Sequence, residues 1–302
     1  MAGESTALNL AEQQDTANRD TATEPSVQRV NRRLDRVSDI VGSKRSTTDV
    51  SGGNWQVGID LGTADIQTLA IAADGEPLVA MLTWADVVRD GVVVDYARAC
   101  EIVREQLAAV ESCLGAPVTE AVTSFPPGTD ARLSTHVVES AGVEVKHVID
   151  EPSSVAALLA IDKGAVVDIG GGTTGTAIVE GGKVIHSRDD ATGGRHLDLA
   201  LAGHLGIAVE QAEQRKRECT DHSVADILRP VIQKMADVVH QHIDGFDVPR
   251  LYLSGGSCAL PGFRDVFAAE FPACEVILPS QPLHLTPLAI ASYRFNQRGP
   301  LA

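Results

Sequence analysis

The chain has 302 residues, enough for one large or two ordinary domains, and 44% of them are hydrophobic, so a sizeable core can form. A formal net charge of −16 argues against nonspecific attachment to nucleic acid or anionic membrane, but it leaves room for a small anion held by local geometry. Cys100, Cys113, Cys219, Cys258 and Cys274 form no C-x-x-C pair, no 18-residue apolar run is present, and the polar N-terminus has no signal-peptide core; reduced thiols, no membrane span and a cytoplasmic protein are the expectation.

Residues 1–25 are Ala, Thr, Glu, Gln, Asp and Asn with few apolar side chains, a composition that predicts disorder. Residues 26–45 differ. Val27, Val30, Leu34, Val37 and Val41 recur at steps of three and four, which predicts an amphipathic helix, and six basic side chains accompany Asp35 and Asp39. A short helix is marginal alone in water, so it needs a surface, either the chain's own globular body or a partner. Residues 46–53, rich in Ser, Thr and Gly, read as a flexible linker. That separation favours docking, with the apolar face laid into a partner's groove.

The globular part is predicted to run from residue 54. Strands are expected at 55–60, 66–73 and 77–82, then a helix at 96–114, a strand at 118–124, a helix at 129–141 and a strand at 144–149. Asp150-Glu151-Pro152 starts a helix that runs to 161, with proline near the first position and acids in the first turn. The second half expects strands at 164–169, 175–180 and 183–190, helices at 194–206, 208–218 and 223–243, a strand at 250–253, a helix at 261–271, a strand at 275–278 and a helix at 286–295. Each half opens with a β-meander and continues in β/α alternation, which is a duplicated α/β architecture. His240 and His242 lie two apart in a helical pattern and face apart, so they read as surface or packing residues, not metal ligands.

The duplication has a chemical trace. Asp60-Leu61-Gly62-Thr63 and Asp168-Ile169-Gly170-Gly171-Gly172-Thr173 each place an acid at the end of an apolar strand, followed by a Gly/Thr hairpin. Glycine lets backbone N–H groups approach a phosphate, threonine adds a hydroxyl, and an aspartate can hold Mg²⁺ through water, because Mg²⁺ keeps much of its hydration. One such turn is an ordinary hairpin. Two in one chain predict a phosphate clamp between two lobes.

These residues, with Asp150-Glu151-Pro152-Ser153-Ser154 and Leu253-Ser254-Gly255-Gly256-Ser257 in the same order, resemble the actin/Hsp70/sugar-kinase superfamily of ATP-binding proteins. The resemblance covers about 54–296. It implies a duplicated actin-like ATPase fold of two lobes, each a mixed β-sheet flanked by helices, behind a disordered N-terminal tail. The tail is 1–53, lobe I is 54–162 with the last helix at 286–296, and lobe II is 163–285. It also implies ATP or ADP with Mg²⁺ as ligands. Asp60, Leu61, Gly62 and Thr63 match the first phosphate loop. Asp168, Gly170, Gly171, Gly172 and Thr173 match the second. Gly255, Gly256 and Ser257 match the adenosine loop, and Glu213 and Lys216 match adenosine-contacting positions. Asp60 and Asp168 would hold the metal, and Glu151 would orient water or Mg²⁺.

Within the Hsp70-like branch, residues 90–95, 126–129, 137–142 and 189–194 resemble the ethanolamine-utilization members. Those are encoded with bacterial microcompartment enzymes and proposed to act as chaperones or reactivation factors. The partners implied are an adenine nucleotide and a protein client, a microcompartment enzyme or shell reached through the N-terminal helix, with no nucleic acid and no membrane.

Two departures bear on activity. The branch carries an acid at the position of Gly175 and a lysine in the first lobe, whereas no lysine lies between Lys44 and Lys146. Phosphoryl transfer is mostly positioning and charge stabilisation, so binding with slow or absent hydrolysis is expected. The short 203–228 segment and the lack of a following substrate-binding domain speak against Hsp70-style client binding. A non-catalytic actin-fold scaffold is the alternative. A small-molecule kinase would need an acceptor base, for which Asp95 and Asp198 are conceivable.

Overall fold

The computed structural model describes residues 26–43, 54–89, 92–125, 127 and 130–296. The expected tail at 1–25, the linker at 46–53 and most of the 126–129 loop lie outside them. Two five-stranded sheets form the body, and they have one topology used twice. In lobe I, β1 (Trp55–Leu61), β2 (Asp65–Ala72) and β3 (Pro77–Trp84) make an antiparallel meander, and β6 (Glu120–Phe125) and β7 (Glu144–Asp150) extend it in parallel, giving the order β3-β2-β1-β6-β7. In lobe II, β8 (Lys163–Ile169), β9 (Thr174–Glu180), β10 (Lys183–Asp190), β11 (Arg250–Ser254) and β12 (Glu275–Ile277) repeat it as β10-β9-β8-β11-β12. This is the actin-like arrangement expected from the duplication. A two-stranded ribbon, β4 (Val88–Arg89) and β5 (Val92–Val93), was not anticipated; its only sequence signal is the Asp90-Gly91 turn pair.

Each sheet is covered by helices at matching places. In lobe I, α2 (Tyr96–Leu114) is capped by the Asp95 carboxylate, which accepts from the Arg98 N–H at 3.0 Å, and it ends on Gly115 in the left-handed region. Its Ile102, Val103 and Val110 are buried in one cluster with Ile66 of β2 and Val79 of β3. The α3 helix (Ala131–Glu139) joins β6 to β7. In lobe II, α5 (Gly194–Leu205), α6 (Val209–Arg217) and α7 (Ser223–Ile243) stand between β10 and β11, and α8 (Phe263–Glu270) precedes β12. Leu197, Leu201, Met235, Phe263 and Phe267 fill that core.

Two helices run between the lobes. They are α4 (Glu151–Leu158), after β7, and α9 (Leu285–Asn296), after β12, and they share a third buried cluster with Val155, Leu159, Leu285 and Leu288. The α9 helix crosses β1 so closely that a Cβ on Gly58 would stand 2.4 Å from the Ala291 nitrogen; only glycine admits that approach.

The N-terminal helix corrects one expectation. It forms as α1 (Ser26–Ile40), shorter than the predicted 26–45, and its stripe is not offered to a partner. Val30, Leu34, Val37 and Ile40 are buried with Leu69, Ile71 and Ala80 of lobe I and with Leu288 of α9. Polar contacts fix the seat. The Asn31 Oδ1 accepts from the Ser280 N–H at 2.9 Å, the Arg33 guanidinium donates to the Asp74 carbonyl, and the Gly42 N–H donates to the Ala80 carbonyl at 2.9 Å. The reason is the usual one for a short amphipathic helix: its stability comes from the surface it covers, and the body supplies that surface. Among the described residues, no helix is long and apolar enough to cross a membrane.

Candidate functional site

The repeat brings its two hairpins face to face. Asp60 lies near the end of β1 and Asp168 near the end of β8, and the turns that follow line opposite walls of one cleft between the lobes. They approach within contact. A Cβ on Gly172 would stand 2.8 Å from the Thr63 hydroxyl oxygen, and one on Gly171 would stand 2.9 Å from the Ala64 Cβ. Glycine at these positions is what allows the hairpins to close on each other.

Protein donors brace the second hairpin from behind. The Gly194 N–H donates to the Gly170 carbonyl at 2.9 Å, the Arg195 N–H to the Gly171 carbonyl at 2.8 Å, and the Ser257 hydroxyl to the Gly170 carbonyl at 2.8 Å. Carbonyls engaged in this way reduce the negative edge of the turn, as an anion-binding loop requires.

Every residue that the sequence marked for the nucleotide, the metal or the water lines this one cleft. Asp60, Leu61, Gly62 and Thr63 form one wall, and Asp168, Gly170, Gly171, Gly172 and Thr173 form the other. Glu151 opens onto the cleft from the first turn of α4, whose Asp150 cap accepts from the Ser153 N–H at 3.0 Å. Glu213 and Lys216 of α6 and Gly255, Gly256 and Ser257 after β11 complete it. Lys216 is not a free cation. Its ammonium lies 2.7 Å from the Asp198 carboxylate and 3.2 Å from the Gly194 carbonyl, with both side chains largely buried, so any ligand contact through it competes with that pair.

Asp65, Gln67, Trp84 and Thr286 are among the lining residues that the sequence reading missed. The Gln67 amide donates to Asp65 at 2.8 Å and its oxygen meets His284 Nδ1 at 2.7 Å, while the Thr286 hydroxyl donates to Asp168. Asp65 stands two positions beyond Thr63 and could have been read as part of the hairpin; Thr286 carries no local signal. The two acids conceivable as a kinase base are otherwise engaged, Asp95 as a helix cap and Asp198 with Lys216.

The cleft is acidic at one end. Burial, with Asp65 and Asp168 adding to it and the Ser124 hydroxyl at 2.8 Å opposing it, raises Asp60 to about 7. Burial raises Asp65 to about 6, against the Gln67 hydrogen bond. Burial also raises Asp168, against hydrogen bonds from Thr286 and Ser254. Glu151 is pushed well above the carboxylate range by burial and then by Asp60, Asp168 and Asp189. The basic side chains lining the cleft, Lys216 and Arg217, both belong to α6 and so stand on the Glu213 side.

Crowded carboxylates fit a hydrated dication. Among the described residues, no three His, Cys, Asp or Glu side chains converge to bind a metal directly. Mg²⁺ asks for less, since it retains several waters and takes one or two carboxylates plus phosphate oxygens. Asp60 and Asp168 are the two that would hold it, and its charge would favour the ionised forms that burial disfavours.

Residues 135–292 match the family model described as type IV pilus assembly protein PilM. Ethanolamine utilization protein EutJ of Escherichia coli (strain K12) is 52% identical over 236 residues, 78% of this chain and 84% of that protein. The Salmonella typhimurium protein of the same name is 50% identical over the same shares. Among solved structures, the crystal structure of ethanolamine utilization protein EutJ from Carboxydothermus hydrogenoformans aligns with a TM-score of 0.82 at 41% identity, over 88% of this chain and 98% of that one. A PilM–PilN type IV pilus biogenesis complex aligns with a TM-score of 0.64 at 15% identity, over 80% of this chain and 98% of that one, a likeness of fold.

Proposed function

The chain belongs to the family of the ethanolamine utilization protein EutJ, and on that premise we propose that it binds an adenine nucleotide with Mg²⁺ between its lobes and acts on a protein of ethanolamine metabolism. It does so as a chaperone-like or reactivating factor, in the cytoplasm beside a bacterial microcompartment. Hydrolysis is slow, because Gly175 offers no carboxylate and lobe I places no lysine in the cleft. Lobe opening and closing, a hinge motion about α4 and α9, carries the nucleotide state to the partner.

One observation carries this reading: both Asp-Gly-Thr hairpins and the Gly255-Gly256-Ser257 turn line the same cleft, with the hairpins in contact across it. Bound Mg²⁺ would supply the positive charge that phosphate oxygens need beside Asp60 and Asp168. The chain's own residues would grip the phosphates with hairpin N–H groups and Thr63, and meet the nucleoside with Glu213 and the Gly255 turn. The partner surface lies on the body, since α1 has spent its apolar face there.

A second reading, a scaffold that uses nucleotide only as a structural ligand, is favoured by the PilM match over 135–292. A thermal-shift titration with Mg-ATP, Mg-ADP and Mg-GTP, beside Asp168→Ala, tests both. A ligand at about 100 times its Kd adds about 2.7 kcal/mol, which is roughly 5–10 °C for a body of this size. A shift with adenine nucleotides that the variant loses supports the clamp. No shift with any nucleotide ends both readings and leaves a nucleotide-free scaffold.

A further inference from the structure

One turn touches both lobes at the cleft, and α1 holds its start. The segment 280–286 leads from β12 into α9 and includes the single 3₁₀ turn Pro282–His284. The Pro282 carbonyl accepts from the Gly255 N–H at 3.2 Å. Leu283 lines the cleft and packs so closely on the next glycine that a Cβ on Gly256 would stand 2.9 Å from Leu283 Cδ1. The Leu283 carbonyl accepts from the Gln67 amide of lobe I at 3.1 Å, and the Thr286 hydroxyl donates to Asp168. A shift of this segment therefore reaches both the Gly255-Gly256-Ser257 turn and the acid of the second hairpin.

Its conformation is imposed from outside. Gln281 has φ +49° and ψ +56°, the left-handed region, which is costly for a residue with a side chain and persists only where the surroundings hold it. The residue is exposed, so packing of its side chain does not supply the constraint. Backbone bonds on either side do. After it, the His284 N–H donates to the Gln281 carbonyl at 2.9 Å. Before it, one residue of α1 grips Ser280 twice: the Ser280 N–H donates to Asn31 Oδ1 at 2.9 Å, and its hydroxyl donates to the Asn31 carbonyl at 3.1 Å. The helix is itself clamped to lobe I, through Arg33 to the Asp74 carbonyl and, just beyond its end, through the Gly42 N–H to the Ala80 carbonyl. A residue 249 positions away in the chain, outside both lobes, thus fixes the approach to the cleft.

We propose that Asn31 is a positioning residue for the nucleotide: by fixing Ser280 it keeps Gln281 left-handed, and the turn that follows then holds Gly255 and Gly256 where a nucleoside meets them. The assignment rests on the reading of the cleft as a nucleotide site. Coupling between two sites is reciprocal, so a nucleotide that needs this turn in place also tightens the seat of α1. Anything that loosens α1 from the body lowers nucleotide affinity by the same route.

The test compares the full chain with Asn31→Ala and with the double variant Asn31→Ala/Gln281→Gly. Calorimetry reads Mg-ATP affinity, and melting temperature is read without nucleotide. Asn31→Ala loses one hydrogen bond to Ser280 and is expected to weaken Mg-ATP by about three- to tenfold. In the double variant glycine adopts the left-handed region without the grip, so most of the affinity is expected to return. A purely structural Asn31 would instead lower the melting temperature and leave the affinity unchanged. Wild-type affinity in Asn31→Ala, or a loss that Gln281→Gly does not restore, overturns the assignment and leaves the nucleotide site standing. Should Asn31→Ala fail to fold, hydrogen exchange in the wild type decides: Mg-ATP is expected to slow, severalfold, those α1 amides that exchange faster than the amides of β8, and no slowing overturns the assignment. Absence of any nucleotide binding by the wild type overturns both.

Discussion

The guanidinium of Arg217 lies 4.2 Å from the centroid of the Trp84 ring, and this pair joins the lobes across the cleft. Trp84 ends β3 of lobe I and Arg217 ends α6 of lobe II. Nearby, Arg195 of α5 stands 3.9 Å from Asp86 of the opposite lobe. A half-exposed cation–π contact is worth about 0.5–1 kcal/mol, so Arg217→Ala is expected to weaken Mg-ATP by about two- to fivefold through loss of closure. Calorimetric titration reads it, and Trp84 fluorescence should report the same closure in the wild type. Equal affinity in wild type and variant would mean that the pair does not support the closed form.

Gly172 offers a sharper lesion. Its φ is ordinary, so Gly172→Ala brings no backbone strain, but the new Cβ would meet the Thr63 hydroxyl at 2.8 Å and push the hairpins apart. Displacing a phosphate grip by part of an ångström costs on the order of tenfold to a hundredfold. Mg-ATP affinity is expected to fall by that order while the nucleotide-free melting temperature stays nearly constant. A variant that binds like wild type would show that the hairpins do not clamp the ligand between them.

Leu34→Ala tests the seat of α1. The side chain is fully buried, and truncating such a leucine costs about 2–5 kcal/mol. Urea unfolding should show that loss in one cooperative transition. A loss under about 0.5 kcal/mol, the level of an ordinary surface change, would mean that the helix leaves the body in solution.

The acid cluster sets a pH dependence. Asp60 and Asp189 are raised to about 7 and Asp65 to about 6, so the folded state holds these protons more tightly than the unfolded chain. Their contribution to stability therefore falls as pH rises from the ordinary carboxylate range toward 7, then levels off. His284, buried against Gln67 and lowered to about 4, acts in the opposite sense: its contribution is lost as pH falls from its usual 6.5 toward 4. Mg²⁺ needs the carboxylates ionised, so it should raise the melting temperature more at pH 8 than at pH 5.5, and Asp60→Asn should shrink that difference. An equal rise at both pH values would place the ion elsewhere.

What the sequence made legible was local. The Asp60 and Asp168 hairpins, the Glu151 turn and the Gly255 turn are short contiguous signals, and one cleft gathers them all. The meander at the head of each half was readable from alternating apolar runs. Thr286 meets Asp168 only because the last helix returns between the lobes, 118 residues further along the chain. Asp189 faces Gly175 only through strand register, which no local pattern states. The stripe of α1 was plain, yet a stripe specifies an apolar partner without saying whose. The residues that receive it, from Leu69 to Leu288, are spread over most of the chain.

The seat of α1 has one more consequence. The helix lies along β3 of lobe I and is tied through Asn31 to Ser280 of lobe II, just ahead of the turn that leads into α9. Anything grasping the segment before Ser26 thus holds the molecule by its spine rather than by either cover. A pull there acts on the buried cluster that α1 shares with α4 and α9, the two helices joining the lobes.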